Sequence, residues 1–298
     1  MLILMALPTS YHTTMFKHLF KPYLIALSLM VSISACHAPS NQNPASKADK
    51  HITIGFGVGT YIDQVRYGVV PTLEKQGYQV TLRQFTQGVQ INRALDEGAI
   101  QASVFQTPAY MESYNQKKQS DIIAIAVNPS PPQTLRSKKH HSLAEIKNGM
   151  TVAIANDPIN AERGARILEQ LGWVRLKAGV NPLDFSINDI SAGKYALDIR
   201  QADSAQGMRL LDDVDYAIIN GNFVASSGEK IADGLVIENT PPRHRVNLTI
   251  KAANKDSPWA QDLVAAFESQ AYADYIRSQA QYVDFIEPEA WAKYPKKP

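Results

Sequence analysis

Cysteine is almost absent. Cys36 is the only one in 298 residues, so no intramolecular disulfide can form even in an oxidising compartment, and stability must come from burial. The seven histidines never fall into a His-x-x-x-His or Cys/His metal spacing, and no Gly-x-Ser-x-Gly elbow occurs, so neither a metal nor a cofactor is expected. Concentrated positive charge is also missing: lysines and arginines alternate with acids, apart from Lys138-Lys139-His140-His141. That short cluster suits a solvated loop and excludes a nucleic-acid stripe. No apolar run after residue 36 reaches membrane-spanning length. Gly57-Val58-Gly59 lacks the Lys-Ser/Thr of a nucleotide loop and the third glycine of a dinucleotide fingerprint, and is expected to be a tight turn.

What is present begins with an export signal. Lys17 and Lys21 form a basic n-region, Leu24 to Ile33 an apolar stretch of signal-peptide length, and Ile33-Ser34-Ala35-Cys36 resembles a bacterial lipobox. In such a box the cysteine takes a thioether-linked diacylglycerol and becomes the mature N-terminus. Residues 1–35 are thus expected to be cleaved, with Met15 alone heading a complete signal. Losing Lys17 and Lys21, with no acid, takes the formal charge from +2 to zero. Residues 36–50 are rich in Pro, Asn, Ser and Lys without apolar periodicity, which predicts a flexible tether to the bilayer. His37 is not the aspartate that typically retains lipoproteins at the inner membrane, which leaves the outer membrane open as the destination.

From His51 onward strand-like and helix-like segments alternate, the pattern of parallel strands with crossover helices. Strands are expected at 51–56, 78–85, 102–105, 121–127, 150–155, 196–201, 215–219 and 245–251. Helices are expected at 61–75, 90–97, 108–115, 159–171 and 258–270, with Ser142 opening a short helix as a capping residue. Two proline-rich breaks, Asn128 to Pro132 and Pro241-Pro242, predict one crossing out and one back. The expected organisation is a discontinuous first lobe, 51–130 plus 243–298, and a continuous second lobe, 131–242.

One segment carries candidate binding chemistry. Asn156-Asp157-Pro158-Ile159-Asn160-Ala161-Glu162-Arg163 follows a strand and opens a helix, where unpaired backbone N–H groups favour an anion. At about 100° per residue, Asn160 falls on the apolar face and Arg163 at its margin, whereas Glu162 and Arg166 point away. Arg163 could hold a carboxylate bidentately. The same spacing suits an arginine paired with a neighbouring acid, which is commoner. Asp212, Asp213 and Asp215 are expected to cap or to face solvent. Phe105 and Tyr110, taken singly, are ordinary core aromatics.

Four stretches in order carry a family resemblance: Phe105-Gln106-Thr107-Pro108-Ala109-Tyr110, Asn156 to Arg163, Leu211 to Asn220, and Val246-Asn247-Leu248. Together they resemble the NlpA/MetQ family of lipid-anchored methionine-binding proteins that feed ABC importers. The resemblance implies a two-lobe α/β periplasmic binding protein of type II character, each lobe a mainly parallel sheet flanked by helices. It further implies that Arg163 holds a ligand carboxylate with Asn160 beside it, that Asn220 and Asn247 hydrogen-bond the amino-acid backbone, and that Phe105 and Tyr110 line the side-chain pocket.

Departures from the family pattern fall at Gly88, where a tyrosine is usual, and at Thr107, where a histidine is usual. Both are smaller, which predicts extra room, a poor fit for free methionine, and a larger or more polar amino acid as ligand. The expected function is a lipid-anchored substrate-binding protein on a bacterial membrane, facing the periplasm. Its expected partners are a small-molecule ligand and an ABC permease, with no nucleic acid and no catalysis. The alternatives are a different small ligand such as a short peptide, an enzyme on the same scaffold, or an interaction module with no transport role.

Overall fold

The computed structural model describes residues 50–296; the signal segment, Cys36 and most of the tether lie outside them. The strands are β1 His51–Phe56, β2 Gln79–Gln84, β3 Ala102–Val104, β4 Ile122–Val127, β5 Gln133–Arg136, β6 Thr151–Ala155, β7 Val174–Leu176, β8 Ile190–Ala192, β9 Asp198–Ala202, β10 Tyr216–Asn220, β11 Val236–Ile237 and β12 Asn247–Lys251. The α-helices are α1 Tyr61–Gly68, α2 Val70–Lys75, α3 Gly88–Asp96, α4 Pro108–Lys118, α5 Pro158–Gln170, α6 Gly207–Leu210, α7 Gly221–Ser226, α8 Pro258–Phe267 and α9 Gln270–Ser278. The helix expected over 61–75 is two helices, because Pro71 in the first turn of α2 has no N–H to continue α1. The helix expected over 258–270 ends at Phe267. Ser269 then caps α9, accepting from Tyr272 N–H at 3.2 Å.

Two five-stranded sheets carry the architecture, ordered β2-β1-β3-β12-β4 and β11-β5-β10-β6-β9. In the first, β2, β1 and β3 are parallel and β12 runs against both β3 and β4, so four strands share a direction and β12 alone is reversed. In the second, β9, β6 and β10 are parallel and β5 runs against both β10 and β11, so β5 alone is reversed. Each reversed strand is the one the chain enters after a proline-rich crossing.

Period-two alternation divides each central strand between two apolar layers. Tyr216 and Ile218 of β10 join Val152 and Ile154 of β6 on one face, packed with Leu168 of α5 and Trp173. Ala217 and Ile219 point to the opposite face, in a cluster continuous with Ile52, Ile54 and Phe56 of β1 and Leu248 and Ile250 of β12. On the far face of the first sheet α3 packs over β3, β12 and β4, and the chain after it over β1. A Cβ on Gly55 would lie 2.5 Å from Ile100 Cδ1, so glycine lets this layer close.

The two crossings run side by side and are bonded to each other. Asn128 N–H donates to Val246 O at 2.8 Å and Val246 N–H to Ser130 Oγ at 3.1 Å. Asn128 is held from below by Gln64 Oε1, which accepts from its Nδ2 at 2.8 Å, and by the Tyr272 hydroxyl, which donates to its Oδ1 at 2.7 Å. All three are buried, so the crossing leaves its sheet from a fixed polar post.

Candidate functional site

A cavity of about 440 Å³ opens where the carboxyl ends of β1, β3, β6, β9 and β10 converge, the usual ligand location in open α/β sheets. The first sheet contributes Phe105, just after β3, and Tyr110 of α4, whose rings meet edge to face at 5.7 Å between centroids. The second contributes Asn160 and Arg163 from α5 and Asn220 from the end of β10. Of the eight residues singled out in the sequence, Gly88, Phe105, Thr107, Tyr110, Asn160, Arg163 and Asn220 line this one cavity.

Asn247 does not line it. Its side-chain amide donates to Arg245 O at 2.8 Å and its N–H donates to Gln106 O at 3.0 Å, which draws the residue back beside the β3–α4 loop. Gln106 is buried there, exchanging two 2.8 Å hydrogen bonds with Asn92. Asn247 thus helps to aim the loop bearing Phe105.

Local capping explains much of the remaining geometry. Asp157 caps α5, accepting from Asn160 N–H at 2.9 Å and from Asn160 Nδ2 at 3.0 Å, so the Asn160 amide is oriented before any ligand arrives. Burial pushes the Asp157 carboxyl above its ordinary range, against the opposing pull of those Asn160 bonds. Thr107 caps α4, its hydroxyl accepting from Tyr110 N–H at 3.3 Å, which fixes the helix presenting Tyr110. Burial and then the nearby Asp157 push the Tyr110 phenol up to about 12.

Arg163 has a partner within the protein. Its Nε donates to Glu238 Oε1 at 2.6 Å and its Nη2 to Glu238 Oε2 at 2.5 Å, and both side chains are under a tenth exposed. Glu238 also accepts from Gln133 N–H at 3.0 Å and from the Thr240 hydroxyl at 2.7 Å. Burial alone would raise the Glu238 carboxyl, but the hydrogen bonds and charge of Arg163, with help from Thr240 and Gln133, hold it below its ordinary value. The acid pairing that the α5 spacing allowed is therefore real. Its partner lies 75 residues away in sequence, beyond any local pattern. The Gln133 amide also donates to Asn220 Oδ1 at 2.6 Å, tying the end of β10 into the same network.

Two expectations need correction. Glu162 does not point away: its side chain is only 8% exposed and is covered by Arg166 Nε at 2.7 Å. The buried surface of α5 is broader than a single apolar stripe, running through Ala161, Glu162, Arg163, Gly164 and Ala165 without a break. Gly88 leaves no vacancy toward the aromatics either. A Cβ there would lie 2.8 Å from Phe105 Cε2 and 2.9 Å from Tyr110 Oη, so those rings already occupy the space of a larger side chain.

His244 and Glu238 escaped the sequence reading altogether. His244 is buried, lines the cavity, and has its pKa lowered to about 4, by burial first and then by Arg163. Only the flanking Pro241-Pro242 turn marked its position. The acids before β10 do structural work: Asp215 accepts from Thr151 N–H at 2.8 Å and meets His140 Nε2 at 3.1 Å, and Asp212 pairs with Lys138 at 2.9 Å. Among the described residues no group of His, Cys, Asp and Glu gathers to hold a metal, and no helix is long and apolar enough to cross a membrane.

Comparison with known proteins places this geometry in a family. A nutrient binding protein from Burkholderia cenocepacia, solved bound to methionine, superposes with a TM-score of 0.72 at 30% identity, over 76% of this chain and 96% of that one. Outer membrane lipoprotein 2 of Mannheimia haemolytica is 31% identical over 84% of this chain and 93% of its own. The D-methionine-binding lipoprotein MetQ of Salmonella typhi is 32% identical over 75% and 83% respectively. The family model described as NlpA lipoprotein matches residues 52–289, and with two sheets meeting at the Arg163 cleft the chain belongs to the NlpA lipoprotein family.

Proposed function

We propose that this protein is the lipid-anchored substrate-binding component of an ABC importer, that it binds methionine as a free amino acid between its two sheets, and that it performs no catalysis. The observation carrying the proposal is the cleft itself: the Asn160, Arg163 and Asn220 side chains of one sheet converge with the Phe105 and Tyr110 rings of the other. A zwitterion can be buried only where each charge finds a partner, and a thioether chain is well matched to aromatic edges. The methionine-binding relatives support methionine. The filled space at Gly88 supports it too, because it takes away the extra room expected at that position.

In this reading residues 51–130 with 243–298 and residues 131–242 act as two lobes. They close on the ligand by rotation about the paired crossings at Asn128 and Val246. Cys36 carries the acyl anchor, residues 36–50 the tether, and a permease receives the ligand on the periplasmic side. The test is native mass spectrometry of freshly purified protein, followed by calorimetric titration with L-methionine. One bound methionine per chain and saturable one-to-one binding are expected. An empty protein that takes up no methionine would overturn the assignment.

A further inference from the structure

The bidentate face of Arg163 is already used. Nε and Nη2 both grip Glu238, and Glu238 is tied down by Gln133 and Thr240. Turning that fork toward a ligand would strand a buried carboxylate, a heavy cost. What remains is Nη1, which has no partner among the described residues and is not sealed from the cavity that Arg163 lines. One N–H serves one carboxylate oxygen and leaves the other to be desolvated without compensation.

The imidazole of His244 lines the same cavity and makes no hydrogen bond among the described residues; its Nδ1 is buried without a partner. An orphaned buried N–H is rarer in proteins than an orphaned acceptor, so Nδ1 bears the lone pair and the ring proton sits on the accessible Nε2. The charged groups around the ring are Arg163 on α5, Glu238 after β11 and Arg243 on its own turn; burial, Arg163 and Arg243 outweigh the opposing pull of Glu238 and keep the ring neutral at physiological pH. His244 therefore presents a single N–H donor.

We propose that the cleft grips a free carboxylate with two donors from separate elements, Arg163 Nη1 on α5 and His244 Nε2 on the turn before β12, so that His244 selects ligands bearing a carboxylate over those without one. This rests on the amino-acid reading above. His244 takes the place of the guanidinium prong that Glu238 withholds.

The full-length protein is titrated calorimetrically with L-methionine and with L-methioninol, which keeps the amine and thioether but lacks the carboxylate. Wild type should prefer L-methionine. In His244→Phe that preference should shrink by about 10- to 100-fold, the loss expected for one hydrogen bond to a charged group, while methioninol affinity stays nearly constant. His244→Gln, which restores an N–H donor, should recover most of the preference. A misfolded variant would lose both ligands together and leave His244→Gln to decide. An unchanged preference in His244→Phe, or no recovery in a folded His244→Gln, overturns the two-donor grip while the amino-acid reading stands. If wild type binds neither compound, both fall.

Discussion

Replacing Arg163 by alanine should cost stability as well as ligand, and the stability loss should depend on pH in a defined sense. The pair it breaks has side chains 6% and 8% exposed, with two short hydrogen bonds between them. Removing one member of such a pair costs about 3–5 kcal/mol, because the Glu238 charge stays buried without its main partner. For a body of this size that corresponds to a drop of about 6–20 °C in melting temperature. In wild type the folded Glu238 carboxyl sits below its ordinary value, so its contribution is present above the unfolded carboxylate range and is lost as pH falls through the folded value. In Arg163→Ala burial, the largest influence, is opposed only by the Thr240 and Gln133 bonds and raises the folded value, so the variant loses stability as pH rises. The gap between the two proteins should thus be wide at about pH 8 and narrow toward about pH 5. Urea denaturation of both at the two pH values measures it. A loss below about 1 kcal/mol, the scale of an exposed pair, or a gap that does not change with pH, would refute the reasoning.

Other expectations are simpler to state. Cys36→Ser should leave the protein uncleaved or soluble, since the thioether and acyl chains need that sulfur; cell fractionation with a mobility assay checks it. Gly88→Ala should weaken ligand binding by about 1–3 kcal/mol, because the new methyl forces the Phe105 and Tyr110 rings aside, and Gly88→Tyr with Thr107→His should bind no better. Calorimetry with L-methionine decides between this and a pocket with spare room. Arg166→Ala should leave ligand affinity unchanged while lowering stability by about 1–3 kcal/mol, since it uncovers the buried acceptor Glu162; equilibrium unfolding and titration of one preparation separate the two effects.

Much of the scaffold was legible because the signals were local. β1 lies where its alternation put it, and α5 begins at Pro158 behind an Asp157 cap and ends before Gly172. β5 was missed because Gln133-Thr134-Leu135-Arg136 is buried on both faces, so it shows no alternation to read. The cleft residues were found through the resemblance, whereas their energetics were not. Glu238 follows a two-residue strand, and nothing near it in sequence indicates that it will meet Arg163. His244 was invisible for a related reason: a histidine in a proline turn looks solvated until tertiary packing buries it. Asn247 was placed in the site by analogy; its backbone N–H is bonded to Gln106 O, which holds it beside the loop that bears Phe105.

The location of β12 has a consequence for how the molecule is made. β12 lies between β3 and β4, filling the slot next to the edge strand of the first sheet, yet it is the last strand in order among the described residues. Every strand of the second sheet lies between residues 133 and 237, so that sheet can be complete while the first still has a gap. Until residues 247–251 emerge, β4 has no neighbour to pair with and the Asn128 crossing has no Val246 to hold it. Closing that gap joins segments more than 100 residues apart, a costly loop to shut and a slow kind of contact to form. The second sheet should thus gain protection from hydrogen exchange first, and the ligand cleft should come into being only with the final fifth of the chain.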